Sequence, residues 1–258
     1  MRQFFKGFLI GTAAICILLL VWLLLIQPAL TRAETQGMKA AYTVTPGVGS
    51  SGGALLPEGE EEERKETSGL DLSAMQKQYP DMKAWLTIPG TPIDYPVLQS
   101  SASAPEYYLR RNIEGEYRLA GSLFFQYDCS PDDRYIVIYG HHMNDGTMFG
   151  CLPEYMNADF CMQHSIVTLQ TLEGEREYRI AAVLETDALQ FPFNRVAFAD
   201  EADFLGFVQD IQAASRIDTG VPITADSQVL ALVTCSYSWE NARYVIVAVK
   251  NQEGRELK

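Results

Sequence analysis

Nineteen consecutive residues, Phe8 to Ile26, carry no charge and are mostly Leu, Ile, Val and Ala. At 1.5 Å rise per residue they form a helix of roughly 28 Å, close to the thickness of a bilayer's hydrocarbon core. Arg2 and Lys6 precede the run and no acid does. The cytoplasmic bias of basic flanks therefore predicts a single-pass anchor, with the N-terminus inside and everything after Pro28 outside. Arg32 lies on the far side of the span. The rival reading is a cleaved signal peptide with Thr31-Arg32-Ala33 as a poor cleavage site. Signal apolar regions run about 7–15 residues, so the length favours an uncleaved anchor.

Charge and composition divide the chain into three segments. Residues 1–32, the cytoplasmic stub and anchor, carry +3. Residues 33–69 carry −4, from three basic and seven acidic residues, and read as a flexible acidic linker. Thr45 to Ala54 is rich in Gly and Ser, and Glu58 and the run Glu60 to Glu63 follow. Such composition buries too little apolar area to offset ordering entropy. Residues 70–258 carry −12 of the total −13. That acidity excludes a nucleic-acid binder, which needs clustered Lys and Arg to neutralise phosphates. The five cysteines (16, 129, 151, 161 and 235) form no CxxC pair, which argues against both a disulfide-stapled scaffold and a structural zinc site.

The outer segment reads as one mainly β domain. Leu70 to Tyr79 has helical spacing, with Asp71 near its start and Pro80 as a stop. Short runs rich in Val, Ile, Tyr and Phe then recur between turn residues, at 84–88, 95–98, 122–126, 135–139, 165–169, 177–183, 229–233 and 244–249. Around eight strands with irregular loops predict a barrel or sandwich. One clear helix interrupts them, Ala202 to Ala214, with Phe204, Leu205, Phe207, Val208 and Ile211 on one face.

Chemistry-bearing residues concentrate at two strand ends. The strand Tyr135–Tyr139 runs into Gly140-His141-His142, where a loop presents side chains from a rigid scaffold. The strand Val229–Val233 runs into Thr234-Cys235-Ser236, and Arg243 opens the last strand eight residues later. If those strands are antiparallel neighbours, Cys235 and Arg243 lie side by side. By composition alone each has a plainer reading: a buried thiol acting as a small hydrophobe, a turn histidine, a surface arginine.

The residues at these places resemble the sortase family. Met82 to Leu98 is similar to early sortase strands. Tyr139-Gly-His-His-Met, with Asp145-Gly-Thr-Met-Phe149, Leu152 and Tyr155, resembles the histidine motif of class B sortases. Ala231-Leu-Val-Thr-Cys235 resembles the TLxTC motif, with Ala231 in place of its first Thr, and Arg243 stands where the family has its arginine. The helix Ala202–Ala214 is similar to the extra helix of class B. The resemblance spans about residues 70–250. It implies an eight-stranded sortase-like β-barrel with an N-terminal helix and a helix between late strands. No acidic cluster matches a calcium site, so no metal or other cofactor is expected, and no Asp-Pro-aromatic lid is present.

The resemblance also implies a reaction. Sortases cut a cell-wall sorting signal after its Thr and join the carbonyl to an amine. Cys235 would attack that carbonyl to form a thioester. His141 would protonate the leaving amine and deprotonate the incoming one. Arg243 would steady the oxyanion or hold the substrate backbone. With unperturbed pKa values of about 8.5 and 6.5, only a few per cent of such pairs hold thiolate with imidazolium near pH 7. The family motif puts the catalytic imidazole directly after Gly140, which selects His141 over His142. His164, Cys129, Cys151 and Cys161 have no motif and read as structural. The implied partners are surface proteins bearing sorting signals and a peptidoglycan amine, in a Gram-positive-type envelope. Two other readings stay open: a secreted cysteine hydrolase, and a non-catalytic membrane-tethered binding barrel.

Overall fold

The computed structural model describes residues 2–43 and 69–251; the Gly- and Ser-rich stretch 45–54 and the glutamates at 58–63 lie outside the described residues. The apolar run is part of one continuous helical rod. It comprises α1 (Arg2–Val21), a π turn (Trp22–Ile26) and α2 (Gln27–Ala41). Its apolar window has a mean hydropathy of 2.6 and none of it is buried against the rest of the chain. By length and composition this helix can cross a membrane.

The helix does not stop where the sequence suggests. Residues 33–41, read above as the start of the linker, continue α2 and dock on the β domain. Ala, Gln, Met and Lys are strong helix formers. Met38 and Tyr42, four residues apart and so on one face, pack against a cluster that includes Trp85, Leu98, Tyr108 and Phe124. Polar contacts frame the packing. Glu34 accepts from Asn112 at 2.6 Å and pairs with Arg118 at 3.4 Å, and Lys39 meets Asp94 at 2.5 Å. The Tyr42 carbonyl accepts from the Asp71 amide at 2.8 Å, so the helix end touches the start of the β domain.

That domain opens with α3 (Leu72–Gln78). The Asp71 carboxylate caps it by accepting from the Ala74 amide at 2.8 Å. Eight strands follow: β1 (Met82–Thr87), β2 (Asp94–Gln99), β3 (Leu123–Phe125), β4 (Tyr135–Tyr139), β5 (Ile166–Thr171), β6 (Gly174–Asp187), β7 (Val229–Cys235) and β8 (Ala242–Lys250). They close into a barrel in the order β1-β2-β3-β4-β7-β8-β6-β5, which leaves no unpaired sheet edge. The pairs β2–β3 and β4–β7 are parallel and the other six are antiparallel. The 14-residue β6 pairs with both β5 and β8 and bulges between Ile180 and Ala182. A bulge of this kind increases the local twist that closure requires. Leu86, Phe125, Val137, Ile138, Val183, Leu232 and Ile246 belong to one buried core that takes in both faces of the sheet.

The helix expected between late strands is present as α5 (Glu201–Ala213), with Asp200 accepting from the Asp203 amide at 2.9 Å as its cap. Phe204, Phe207, Val208 and Ile211 are buried, and Leu205 is partly so. A short helix that carries no periodic signal, α4 (Ala158–Gln163), starts where Asn157 caps the Asp159 and Phe160 amides. Six residues span fewer than two turns, too short for an apolar stripe to repeat.

Candidate active site

The parallel pairing of β4 with β7 and the antiparallel pairing of β7 with β8 bring three strand ends together. Cys235 is the last residue of β7 and is half-buried. Arg243, the second residue of β8, stands directly opposite it in register. Opposed residues of an antiparallel pair share one face, with Cβ atoms roughly 4.5–5.5 Å apart. The Arg243 guanidinium is steadied by donating from Nη1 to the Ala242 carbonyl at 2.9 Å.

His141 reaches the same place through the β4–β7 register, in which Tyr139 pairs with Val233. The pairing runs on past the strand end. The Gly140 amide donates to the Val233 carbonyl at 3.2 Å, and the buried Thr234 hydroxyl donates to the Gly140 carbonyl at 2.8 Å. Residue 140 must be glycine for steric reasons, because a Cβ there would collide with Leu123 and Phe149. The loop beyond is closed by the Phe149 amide on the His141 carbonyl at 3.0 Å. The Asp145 carboxylate caps the turn, accepting from the Thr147 amide and hydroxyl at 2.9 and 2.6 Å. Phe149, Leu152 and Tyr155 from the histidine motif are fully buried, so they anchor the loop in the core.

The His141 ring is held by Nε2 against the Leu109 carbonyl at 2.8 Å. A carbonyl can only accept, so Nε2 carries the proton and Nδ1 of the neutral ring is left bare. Burial lowers the His141 pKa below its ordinary value and the nearby Arg110 lowers it further, while the Leu109 hydrogen bond opposes them. The imidazolium at this site is therefore scarcer near neutral pH than an unperturbed histidine would make it.

His141, Cys235 and Arg243 line one cleft of about 440 Å³, together with Leu109, Phe124, Tyr139 and Val233. Its polar wall comes from residues that no motif signals. Gln126 donates to Asp128 at 2.7 Å and to the Asn194 carbonyl at 2.9 Å, and accepts from the Tyr139 hydroxyl at 2.8 Å. Burial pushes the Tyr139 hydroxyl up to about 12, so it remains a donor. Glu185 on β6 is a further residue without a sequence signal. Burial works to raise its pKa, but bonds from Ser236, Ser238 and Tyr244 and the charge of Arg216 outweigh this and hold it low. Ser236 and Ser238 both donate to its Oε1, which fixes the β7–β8 loop next to Cys235.

The remaining histidines and cysteines sit elsewhere. His142 does not line the cleft; its Nδ1 lies 3.0 Å from the Cys235 carbonyl. His164 donates from Nδ1 to the Pro89 carbonyl at 3.0 Å and covers the turn at Gly90. Cys129, Cys151 and Cys161 are buried and unpaired, and burial raises all three thiols, the first two to about 11. These are the properties of packed, unreactive thiols.

The barrel has counterparts among known proteins. A Sortase domain family profile matches residues 86–251. Sortase B of Listeria monocytogenes is 34% identical over 180 residues, covering 68% of this chain and 72% of the relative. The Staphylococcus aureus sortase B–substrate complex superposes with a TM-score of 0.65 at 27% identity, covering 70% of this chain and 86% of that one. A sortase B complexed with triglycine gives the same TM-score and identity, over 71% and 86%. The chain belongs to the sortase family, in its class B branch.

Proposed function

We propose that Cys235, His141 and Arg243 carry out a two-step acyl transfer that links a sorting-signal protein to a cell-wall amine. The observation that carries this reading is the cleft they share, with Cys235 and Arg243 opposed across β7 and β8 and His141 beside them on the extended β4–β7 register. The Cys235 thiolate attacks the carbonyl of the signal's Thr, and the carbon–nitrogen bond that follows it breaks. His141 gives its proton to the departing amine. The incoming amine then attacks the thioester and loses a proton to His141, and Cys235 leaves as thiolate. Arg243 donates to the oxyanion that forms in each step. The Staphylococcus aureus complex with its substrate and the sortase B bound to triglycine support a peptide and an amine as the two ligands of this cleft. The N-terminal helix anchors the enzyme in the cell membrane as a single pass, with the catalytic barrel outside and facing the wall.

The test uses the full chain in detergent with a library of labelled sorting-signal peptides, with and without triglycine. The expected results are a thioacyl adduct on Cys235 by mass spectrometry and a triglycine-ligated product. Cys235→Ala abolishes both, and His141→Ala slows turnover by roughly 10²–10⁴-fold, the usual worth of a general acid–base. Release to water only, with triglycine present, identifies a hydrolase instead. Normal surface-protein anchoring by Cys235→Ala in cells identifies a binding barrel.

A further inference from the structure

His142 lies outside the cleft lining, yet three of its groups hold the strand end that carries Cys235. Its Nδ1 is 3.0 Å from the Cys235 carbonyl. Its own carbonyl accepts from the Tyr237 hydroxyl at 3.3 Å. Its ring stacks on Tyr237 at 5.1 Å and 24°, and meets the edge of Tyr244 at 6.3 Å. Tyr237 belongs to the β7–β8 loop and Tyr244 to β8, so the histidine is wedged between its own loop and that hairpin.

The ladder explains why the Cys235 carbonyl needs this partner. The Ser236 amide donates to the Ala242 carbonyl at 2.9 Å, so Ser236 and Ala242 stand at a hydrogen-bonding position of the ladder, with the Ala242 amide turned to the Trp239 carbonyl at 3.2 Å. Such pairs alternate with non-bonded ones along an antiparallel ladder, so Cys235 and Arg243 form a non-bonded pair. The Cys235 carbonyl is thus turned away from β8, toward β4. On that side the last rung runs from the Gly140 amide to the Val233 carbonyl. The next rung of the same sense in a parallel ladder, two residues on, would join the residue 142 amide to the Cys235 carbonyl. But β4 has ended at Tyr139, and the chain has turned so that His142 lies opposite Met148, with the Phe149 amide on the His141 carbonyl at 3.0 Å. The His142 ring makes the missing rung from the same residue.

We infer that His142 is a positioning residue for the transfer reaction: its Nδ1–H replaces the absent main-chain rung and holds the Cys235 backbone in register with the His141 loop. The inference rests on the reading of Cys235 as the nucleophile. A carbonyl only accepts, so the neutral ring must carry its proton on Nδ1. The imidazolium also carries one there, and the rung survives protonation. Because the ring also lies outside the cleft lining, His142 is assigned no proton-transfer role in turnover.

Two substitutions separate the rung from the packing. His142→Phe keeps an aromatic ring on Tyr237 and removes the donor, whereas His142→Asn places an amide NH2 near the Nδ1 position and removes the ring. Both are compared with the full wild-type chain in detergent, using triglycine and whichever library peptide the wild type ligates fastest. The expected result for His142→Phe is a fall in kcat of roughly fivefold to tenfold, the worth of one neutral hydrogen bond, with KM within about twofold. His142→Asn recovers kcat to within about twofold of wild type and keeps the wild-type pH profile. Wild-type kcat in the Phe variant overturns the inference, and so does an Asn variant as slow as the Phe variant. Loss of one limb of the pH profile in His142→Asn also overturns it, because His142 would then be an acid–base group. A second readout needs no turnover and no folded variant: with only three histidines in the chain, 15N spectra of the wild type resolve the His142 ring. Protonated Nδ1 at neutral pH is expected, and bare Nδ1 overturns the inference. A wild type that never forms the thioacyl adduct instead defeats the reading of Cys235 and leaves the tautomer result standing.

Discussion

At the scale of the residue, the site turns on which imidazole nitrogen is free and how easily the ring is charged. His141 spends Nε2 on the Leu109 carbonyl and keeps Nδ1 for the cleft. Burial and the Arg110 charge both oppose its protonation, so the neutral imidazole is favoured over the imidazolium more than in an unperturbed histidine. Removing the cation makes the imidazolium less costly. The Arg110→Gln variant is expected to titrate His141 at higher pH than the wild type, and Arg110→Lys at the wild-type value, both followed by the NMR shift of the ring. An unchanged midpoint in Arg110→Gln would show that the Arg110 charge does not contribute and that burial and the Leu109 bond set it. His141, Cys235 and Arg243 were legible in the sequence because each sits in a short motif at a strand end. Gln126, Asp128 and Asn194 were not, because each is unremarkable in its own segment and matters only where the segments meet.

Among the elements, α2 departs furthest from its sequence reading. The Gly, Ser and Glu residues from 45 onward dominated the composition of 33–69 and hid a docked helix at its start. The Lys39–Asp94 pair is 41% and 37% exposed. A pair that open contributes at most about 1 kcal/mol, so the apolar face carries most of the docking. Met38→Ala is expected to cost roughly 1 kcal/mol and to lower Tm by about 2–4 °C. Lys39→Ala should change it by less than half as much, by calorimetry on the full chain. Equal effects would place the docking energy in the ion pair. The strands, by contrast, were readable one by one, since β-branched and aromatic runs between turn residues encode them locally. Most ends moved by one to three residues, but β6 is 14 residues long where a run of seven was visible. Its ends carry Glu, Arg and Thr on exposed or half-buried positions, and pairing with two neighbours, rather than apolar alternation, makes them strand.

For the whole molecule, the helical rod and the docked barrel are one assembly, and this bears on how the chain sits in the envelope. Arg32, just past the apolar run, donates to the Asp145 carbonyl at 3.0 Å in the loop that carries His141. Cleavage after Ala33 would cut α2 and remove that contact. The chain purified from membranes is expected to retain its N-terminal segment by intact mass, and alkaline phosphatase fused after Lys258 is expected to be active in cells. A mature N-terminus at Glu34 would establish a signal peptide, and an inactive fusion would reverse the orientation.

The sequence alone determined what is local: an apolar run long enough for a bilayer, a basic stub before it, eight strand-forming runs, and motifs that name a family and three side chains. Periodicity, composition and short motifs are properties of neighbouring residues, and neighbours are what a sequence displays. Tertiary structure decided the pairings between distant segments: which strands run parallel, that Cys235 faces Arg243 across a non-bonded pair, and that Leu109 claims one nitrogen of His141. It also separated two adjacent histidines into one that lines the cleft and one that bonds the Cys235 carbonyl. That distinction depends on hydrogen-bond register between strands some ninety residues apart, and register is set by closure of the barrel as a whole.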